Sequence, residues 1–322
     1  MNEKVGFVVL HYMALDATAN CVKSIVETQR GENFCIIVVN NGDERTEELE
    51  KLCHGASDDV VIINSKINNG FARGMNIGYC EAKYRQRCEF IVLLNNDTLM
   101  VQNDFSAQMI AEYQKKAYAA AGPKMLMPDG RTDSKSNPLR KDGLGLRLAF
   151  FKYMMTVAKY LTAFSDLDLK LLRWERRVDR ATRRALTKDA GACPDGPNLT
   201  RLDNCVLHGC CIILSPQYVR RYDGLNPKTF LYVEEQILFV RILANSWTTA
   251  YLKNLSIIHV GDVATSMTVH SNREKRRFKY RHHFHSYQVL IIELLKDKWK
   301  RRCDRRDPGA RQSPKDGLPG SE

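Results

Sequence analysis

The sequence predicts an α/β protein built on a doubly wound, mostly parallel central sheet. Three observations carry that expectation. Short β-branched runs, apolar almost throughout, recur along the first hundred residues, as strands buried on both faces do. Segments with helical spacing separate them, in the order β-α-β-α-β-α-β. Each strand is followed by polar residues: His11-Tyr12, Asn40-Asn41, Asn68-Asn69 and Asn95-Asn96-Asp97. Open α/β sheets bind ligands at the carboxyl ends of their strands, so these polar ends outline a nucleotide pocket.

Taken in order, Val5–Leu10 reads as the first strand and residues 18–28 as a helix with Cys21 and Ile25 on one side. Phe34–Val39 is a second strand that stops at the turn-forming Asn40-Asn41-Gly42. A polar helix over 44–53, a strand over 60–63, a helix over 70–82 and a strand over 90–94 complete the first half. Leu146, Phe150, Tyr153, Val157, Leu161 and Phe164 then recur at helical spacing, and Leu167, Leu171, Trp174 and Val178 continue the pattern among Arg and Lys. Lys152 would stand near mid-bilayer if residues 144–164 crossed a membrane, at a cost of about 2.5–3.5 kcal/mol. A helix lying on a surface avoids that cost. Its apolar side suits a headgroup layer, the protein's own core or a second subunit. Buried strands and helices return over 206–260, a basic helical stretch spans 273–302, and a Pro/Gly/Ser-rich tail closes the chain.

The formal net charge is +12, from 49 Lys and Arg against 37 Asp and Glu. Residues 139–188 hold 13 basic and 5 acidic side chains, and residues 273–306 hold 13 and 4, so the remainder is net negative. Such concentration points to local contact with an anionic surface, not to a generally cationic fold. None of the sequence motifs of nucleic-acid-binding modules occurs. A nucleotidyltransferase is the rival enzyme class. The place after the first strand, where such enzymes carry a Gly-rich basic loop, holds His11-Tyr12-Met13-Ala14-Leu15. The ten cysteines form no CxxC pair and no zinc spacing. They read as reduced, and with an N-terminus lacking a signal-peptide pattern they predict a cytoplasmic protein.

Four segments carry candidate chemistry. Asn95-Asn96-Asp97 ends a buried strand: Asp97 is a hard-cation ligand, with Asn95 and Asn96 able to bond ribose or phosphate, although the same residues also make plain turns. Glu234-Glu235 opens a helix after Phe230-Leu231-Tyr232-Val233, as dipole complements or as a pair containing a general base. Asn69-Gly70, Arg73 and Asn76 surround a helix start suited to an anion. His259 ends the apolar run 255–258, as a structural residue or as a ligand of metal or phosphate.

Together, VGFVVLHYMALDATANCVKSI, IIVVNNG, NNGFARGMNIG, FIVLLNNDTLM, AGPKM, LHGCCIILS, FLYVEEQILFVRI and IIHVGDVATS resemble glycosyltransferase family 2. Bacterial rhamnosyltransferase-like and capsular-polysaccharide members are the most similar, over about residues 5–135 and 204–290. The resemblance implies a Rossmann-like GT-A fold, to which the helical spacing adds an amphipathic helical insertion and a basic C-terminal helical extension. It also implies a divalent cation (Mg²⁺ or Mn²⁺), a UDP-, dTDP- or GDP-sugar donor, and transfer with inversion to a glycan or lipid-linked saccharide. On that pattern Asp97 is the metal ligand; His259, by its own chemistry at a strand end, is a second candidate. Glu235 is the base with Glu234 beside it, and His11, Tyr12 and Asn40 frame the nucleotide; Asn69, Arg73, Asn76, Asn95 and Asn96, read from their own chemistry, complete the expected nucleotide-sugar site. Asn40 stands where many members carry an Asp, and Glu235 replaces an Asp. The expected organisation is a donor half over 1–138, the helical insertion over 139–190, an acceptor half over 191–272, the basic extension over 273–306 and a disordered tail over 307–322. Peripheral association with the inner face of the cell membrane is expected, and no nucleic-acid partner.

Overall fold

The computed structural model describes residues 3–132, 145–189, 201–261 and 272–306. The first half of the chain alternates as its apolar runs predict. Strand β1 (Val5–His11) leads to helix α1 (Leu15–Thr28), β2 (Phe34–Asn41) to α2 (Thr46–His54), β3 (Val60–Ser65) to α3 (Gly70–Cys80), and β4 (Phe90–Asn95) to the short β5 (Thr98–Met100). Helix α1 starts at Leu15, earlier than its apolar spacing suggests. Helix α2 starts at Thr46, because Asp43 and Arg45 are held in the turn before it. Helix α4 (Phe105–Lys115) and strand β6 (Ala120–Leu126) follow, then the long helices α5 (Leu146–Thr162) and α6 (Leu167–Asp189). The chain ends with β7 (Arg201–Asp203), β8 (Cys211–Leu214), α7 (Pro216–Val219), α8 (Glu234–Ala244), β9 (Thr249–His259) and α9 (Asn272–Arg306). The predicted tail over 307–322 lies outside the described residues.

All these strands belong to one sheet in the order β3-β2-β1-β4-β8-β6-β9-β5, with β7 on β9. Strands β3, β2, β1 and β4 are parallel neighbours, and β6 and β9 run the same way. Strand β8 lies antiparallel between β4 and β6, so the two halves of the sequence interleave in one sheet. Alternate residues of each strand face opposite layers. Phe7, Val9, Ile36 and Val38 pack with Ile25 of α1, Leu49 of α2 and Met109 of α4. Val8, Ile37 and Val39 pack with Met75 and Tyr79 of α3 and Leu238 of α8. Helix α3 reaches the sheet closely because Gly74 and Gly78 face it: a Cβ at Gly78 would stand 2.5 Å from Val8 Cγ1.

Helices α5, α6 and α9 pack together outside the sheet, and α9 also lies on α8. Tyr153 stacks on Phe284 at 5.1 Å and Arg277 covers Phe164 at 4.0 Å, so α5 and α9 run antiparallel. Their inner faces are tied by buried charge. Lys159 donates to Glu175 at 2.5 Å, Lys152 reaches Glu175 and Asp179, and Arg276 holds Asp168 at 2.7 Å. The outer face keeps Phe150, Met154, Leu161, Phe164 and Trp174 exposed, with Ile292, Leu295 and Trp299 on α9. Among the described residues no helix is long and apolar enough to cross a membrane.

Candidate active site

A cavity of 520 Å³ opens at the carboxyl ends of β1, β2 and β4. Leu10, Tyr12, Asn41 and Asn95-Asn96-Asp97 line the strand side. Across it stand His208-Gly209-Cys210, the segment from Phe230 to Gln236, and His259 at the end of β9. Helix α9 closes a further wall with Lys275, Phe278, His283 and Tyr287.

Of the predicted site residues, Tyr12, Asn95, Asn96, Asp97, Glu234, Glu235 and His259 share this cavity. The other five make bonds that shape the scaffold around it. His11 and Asn40 project to the opposite face of the sheet from Leu10 and Asn41, because side chains alternate along a strand. His11 is fully buried, bridging Thr18 (2.7 Å) and Asp43 (3.1 Å), and that burial holds its pKa below the usual imidazole value. Asn40 donates to the Asp43 carbonyl and to Asn64, and accepts from the Asp43 amide, so it builds the turn after β2. In that turn Asp43 is clamped by Arg45, which lowers its carboxyl to about 2. Asn69 closes its own loop onto Ser65 and Ile67. Arg73 donates to the Pro227 carbonyl, and Asn76 exchanges two hydrogen bonds with the Leu225 backbone. These last two fasten α3 to the loop that leads to Glu234.

Asp97 owes its position to strand pairing. Strand β5 runs antiparallel to β9, with Thr98 opposite His259, and the Val260 amide donates to the Asp97 carbonyl at 2.9 Å. The Asp97 carboxylate is 8% exposed, its Oδ1 has no hydrogen-bond partner, and His259 Nε2 stands 3.4 Å away. The His208 ring lies 5.7 Å from that of His259. A buried carboxylate oxygen that makes no hydrogen bond and has an imidazole 3.4 Å away, both at a cavity wall, fits a divalent cation. Among the described residues no three His, Cys, Asp or Glu side chains gather to hold an ion.

Glu234 and Glu235 begin α8 after two consecutive left-handed residues, Tyr232 (φ 73°) and Val233 (φ 69°). Neither is glycine, and such backbone persists only where its surroundings impose it. Here the Phe71 amide donates to the Phe230 carbonyl at 2.6 Å and Ser286 donates to the Leu231 carbonyl at 2.9 Å. The loop is thus gripped by α3 on one side and α9 on the other. Burial raises both carboxyls above the ordinary range. Glu234 reaches about 8, with the neighbouring Glu235 charge adding to the effect, and its Oε1 has no hydrogen-bond partner. Glu235 Oε2 lies against the His208 loop, 3.6 Å from where a Cβ at Gly209 would stand, which is ordinary contact distance.

Asn41 and Asn68, which the sequence shows only as polar strand ends, and Tyr232, which it shows only in the segment before Glu234, also line the cavity, with His208 and the α9 residues, which carry no such mark. Strand alternation could have separated Asn41 from Asn40. No local pattern marks Phe278 or His283, which reach the cavity only through tertiary packing.

Comparison with known proteins matches the model of glycosyl transferase family 2 over residues 7–173, just over half of the chain. The chain is 28% identical over 123 residues to the uncharacterized protein y4gI of Sinorhizobium fredii, a stretch covering 38% of this chain and 13% of that much longer protein. It is also similar to crystal structures of S. aureus TarS. One, of TarS 1–349, has a TM-score of 0.47 at 11% identity and covers 96% of this chain and 75% of that one. A second, of TarS, has a TM-score of 0.49 at 10% identity and covers 92% and 43%. A third, of TarS 1–349 in complex with UDP, has a TM-score of 0.48 at 11% identity and covers 86% and 70%. From the extent of the family match, together with the strand-end cavity it overlaps, the chain belongs to glycosyl transferase family 2.

Proposed function

We propose that the chain is an inverting, cation-dependent glycosyltransferase. It moves a sugar from a UDP-, dTDP- or GDP-sugar to a glycan or lipid-linked saccharide, in the assembly of surface polysaccharide. One observation carries the reading: Asp97 and Glu235 open into the same cavity.

The Glu235 carboxylate takes the proton of an acceptor hydroxyl as that oxygen attacks the anomeric carbon. The bond from that carbon to the diphosphate breaks on the opposite side, and the nucleoside diphosphate leaves with the electron pair. A general base must sit within hydrogen-bond reach of the hydroxyl and hold a pKa near the working pH; the raised carboxyl of Glu235 moves toward that condition. Asp97 and His259 would hold the divalent cation, which supplies positive charge opposite the leaving diphosphate. Tyr12, Asn95 and Asn96, on the same wall as Asp97, orient the nucleotide and exclude water from it. The hexosyl or rhamnosyl identity of the transferred sugar belongs to the shape of this wall.

The test separates the two acids. Glu235→Gln lowers transfer by roughly 10²–10⁴-fold while the nucleotide-sugar still binds. Asp97→Asn removes the Mn²⁺-dependent thermal stabilisation by nucleotide-sugar, which amounts to about 2.7 kcal/mol at 100 times Kd. Near-normal turnover by Glu235→Gln overturns the base assignment.

The setting is the inner face of the cell membrane, with the protein bound peripherally. The basic helical segments support this reading. Each Lys or Arg near an anionic surface contributes about 1 kcal/mol.

A further inference from the structure

Helix α9 lies outside the residues that the family model matches, yet it forms one wall of the cavity. It packs on α8, whose first turn holds Glu235, whereas Asp97 sits with the end of β9. The α9 wall is therefore on the side of the proposed base. Resting on the glycosyltransferase reading above, we infer that α9 forms a subsite for a pyranose ring of the acceptor: His283 Nε2 accepts a hydrogen bond from a ring hydroxyl, and Phe278 lies against the apolar face of the sugar.

The chemistry of His283 selects the ligand class. Its Nδ1 lies 2.9 Å from the Lys279 carbonyl, which can only accept, so Nδ1 carries a proton. Burial draws the ring's pKa down to about 4, so the ring is neutral and Nε2 presents a lone pair. A lone pair attracts an O–H donor and repels a phosphate or carboxylate. The ring is held flat by Tyr232, stacked on it at 4.2 Å, and that stack also fixes the orientation of Nε2. Phe278, on the same helix, contributes an aromatic surface to the same cavity. Aromatic faces carry partial negative charge and attract the C–H groups of a sugar ring. Hydroxyl recognition beside an aromatic face is the pairing a saccharide offers, and a bare alcohol offers only half of it.

The test uses the full chain with Mn²⁺, UDP-, dTDP- and GDP-sugars as donors, and p-nitrophenyl hexosides of both anomeric configurations as acceptor probes. Nucleotide release without acceptor reports donor hydrolysis, and its increase with hexoside reports transfer. His283→Phe keeps a ring to stack on Tyr232 but removes the lone pair, and Phe278→Ala removes the apolar surface. His283→Phe is expected to raise the hexoside KM roughly five- to tenfold, the scale of one lost neutral hydrogen bond, and Phe278→Ala to raise it by a similar factor through lost aromatic contact, each with a smaller change in kcat and in donor hydrolysis. His283→Gln, which restores an acceptor atom, is expected to recover part of the loss. The subsite is overturned if no hexoside raises nucleotide release, if the KM values stay within about twofold of wild type, or if the variants lose hydrolysis and transfer equally. If the wild-type chain neither binds nor hydrolyses any nucleotide-sugar, the glycosyltransferase reading itself fails, a result distinct from the others.

Discussion

Adjacent glutamates at the start of a helix usually complement its dipole in solvent. Glu234 and Glu235 instead face a cavity, and Glu234 is only 5% exposed with one oxygen unpartnered. Its carboxyl titrates near 8 in the folded chain against 4.5 when unfolded. The folded state therefore holds the proton more tightly. The stability this gives is full below pH 4.5 and disappears as pH rises through 8. Glu234→Gln, which cannot ionise, is accordingly expected to melt well above wild type at pH 9 and close to it at pH 5. Melting curves at the two pH values check this, and an equal shift at both would contradict the buried, ionisable state. At the same scale, a one-residue step decides much of the site. Asn41 reaches the cavity and Asn40 builds a turn, although the two are identical in type and adjacent. The alternation that separates them is visible in the sequence. Which side holds the cavity is not, because both faces of these strands are buried.

Between elements, the join of α3 to the loop before α8 is the tightest constraint on the base. Gly70 opens α3 at φ +75°, and a Cβ there would overlap the Phe230 carbonyl oxygen. Arg73 and Asn76 extend the same join to Pro227 and Leu225. The sequence suggested that these residues form an anion site at a helix start. The structure uses them to hold the Phe230–Val233 backbone, whose left-handed residues need such support. Gly70→Ala is expected to cost at least about 1–3 kcal/mol, since backbone strain and overlap act together. Gly130 has a similar φ of +79° with nothing within 4 Å of its absent Cβ, so Gly130→Ala costs less. Urea unfolding midpoints compare the two, and equal losses would show that the Phe230 contact carries no weight.

Across the whole molecule, charge and exposed apolar surface coincide on α5, α6 and α9. Residues 139–188 and 273–306 concentrate the basic side chains, and the same helices expose Leu161 (67%) and Trp299 (70%). Their inner faces are occupied by α8 and by the Lys152, Lys159 and Glu175 network, so the outer face is the one available to a headgroup layer. The chain is expected to float with vesicles containing phosphatidylglycerol, to float less with phosphatidylcholine alone, and to be released by 0.5 M salt. Leu161→Glu with Trp299→Glu lowers flotation without unfolding, because both side chains are exposed. Flotation indifferent to lipid charge and to these substitutions would remove the membrane from the proposal.

The alternating β and α segments of the first half, the polar strand ends and the two basic stretches were all legible in the chain. Each depends on residues within a few positions of one another, where burial and periodicity leave a direct trace. The placement of β8 between β4 and β6, the pairing of β5 with β9 that brings His259 to Asp97, and the laying of α9 across the cavity were not. Those join segments far apart in the chain, and periodicity says which face of a segment is buried but not which distant segment buries it.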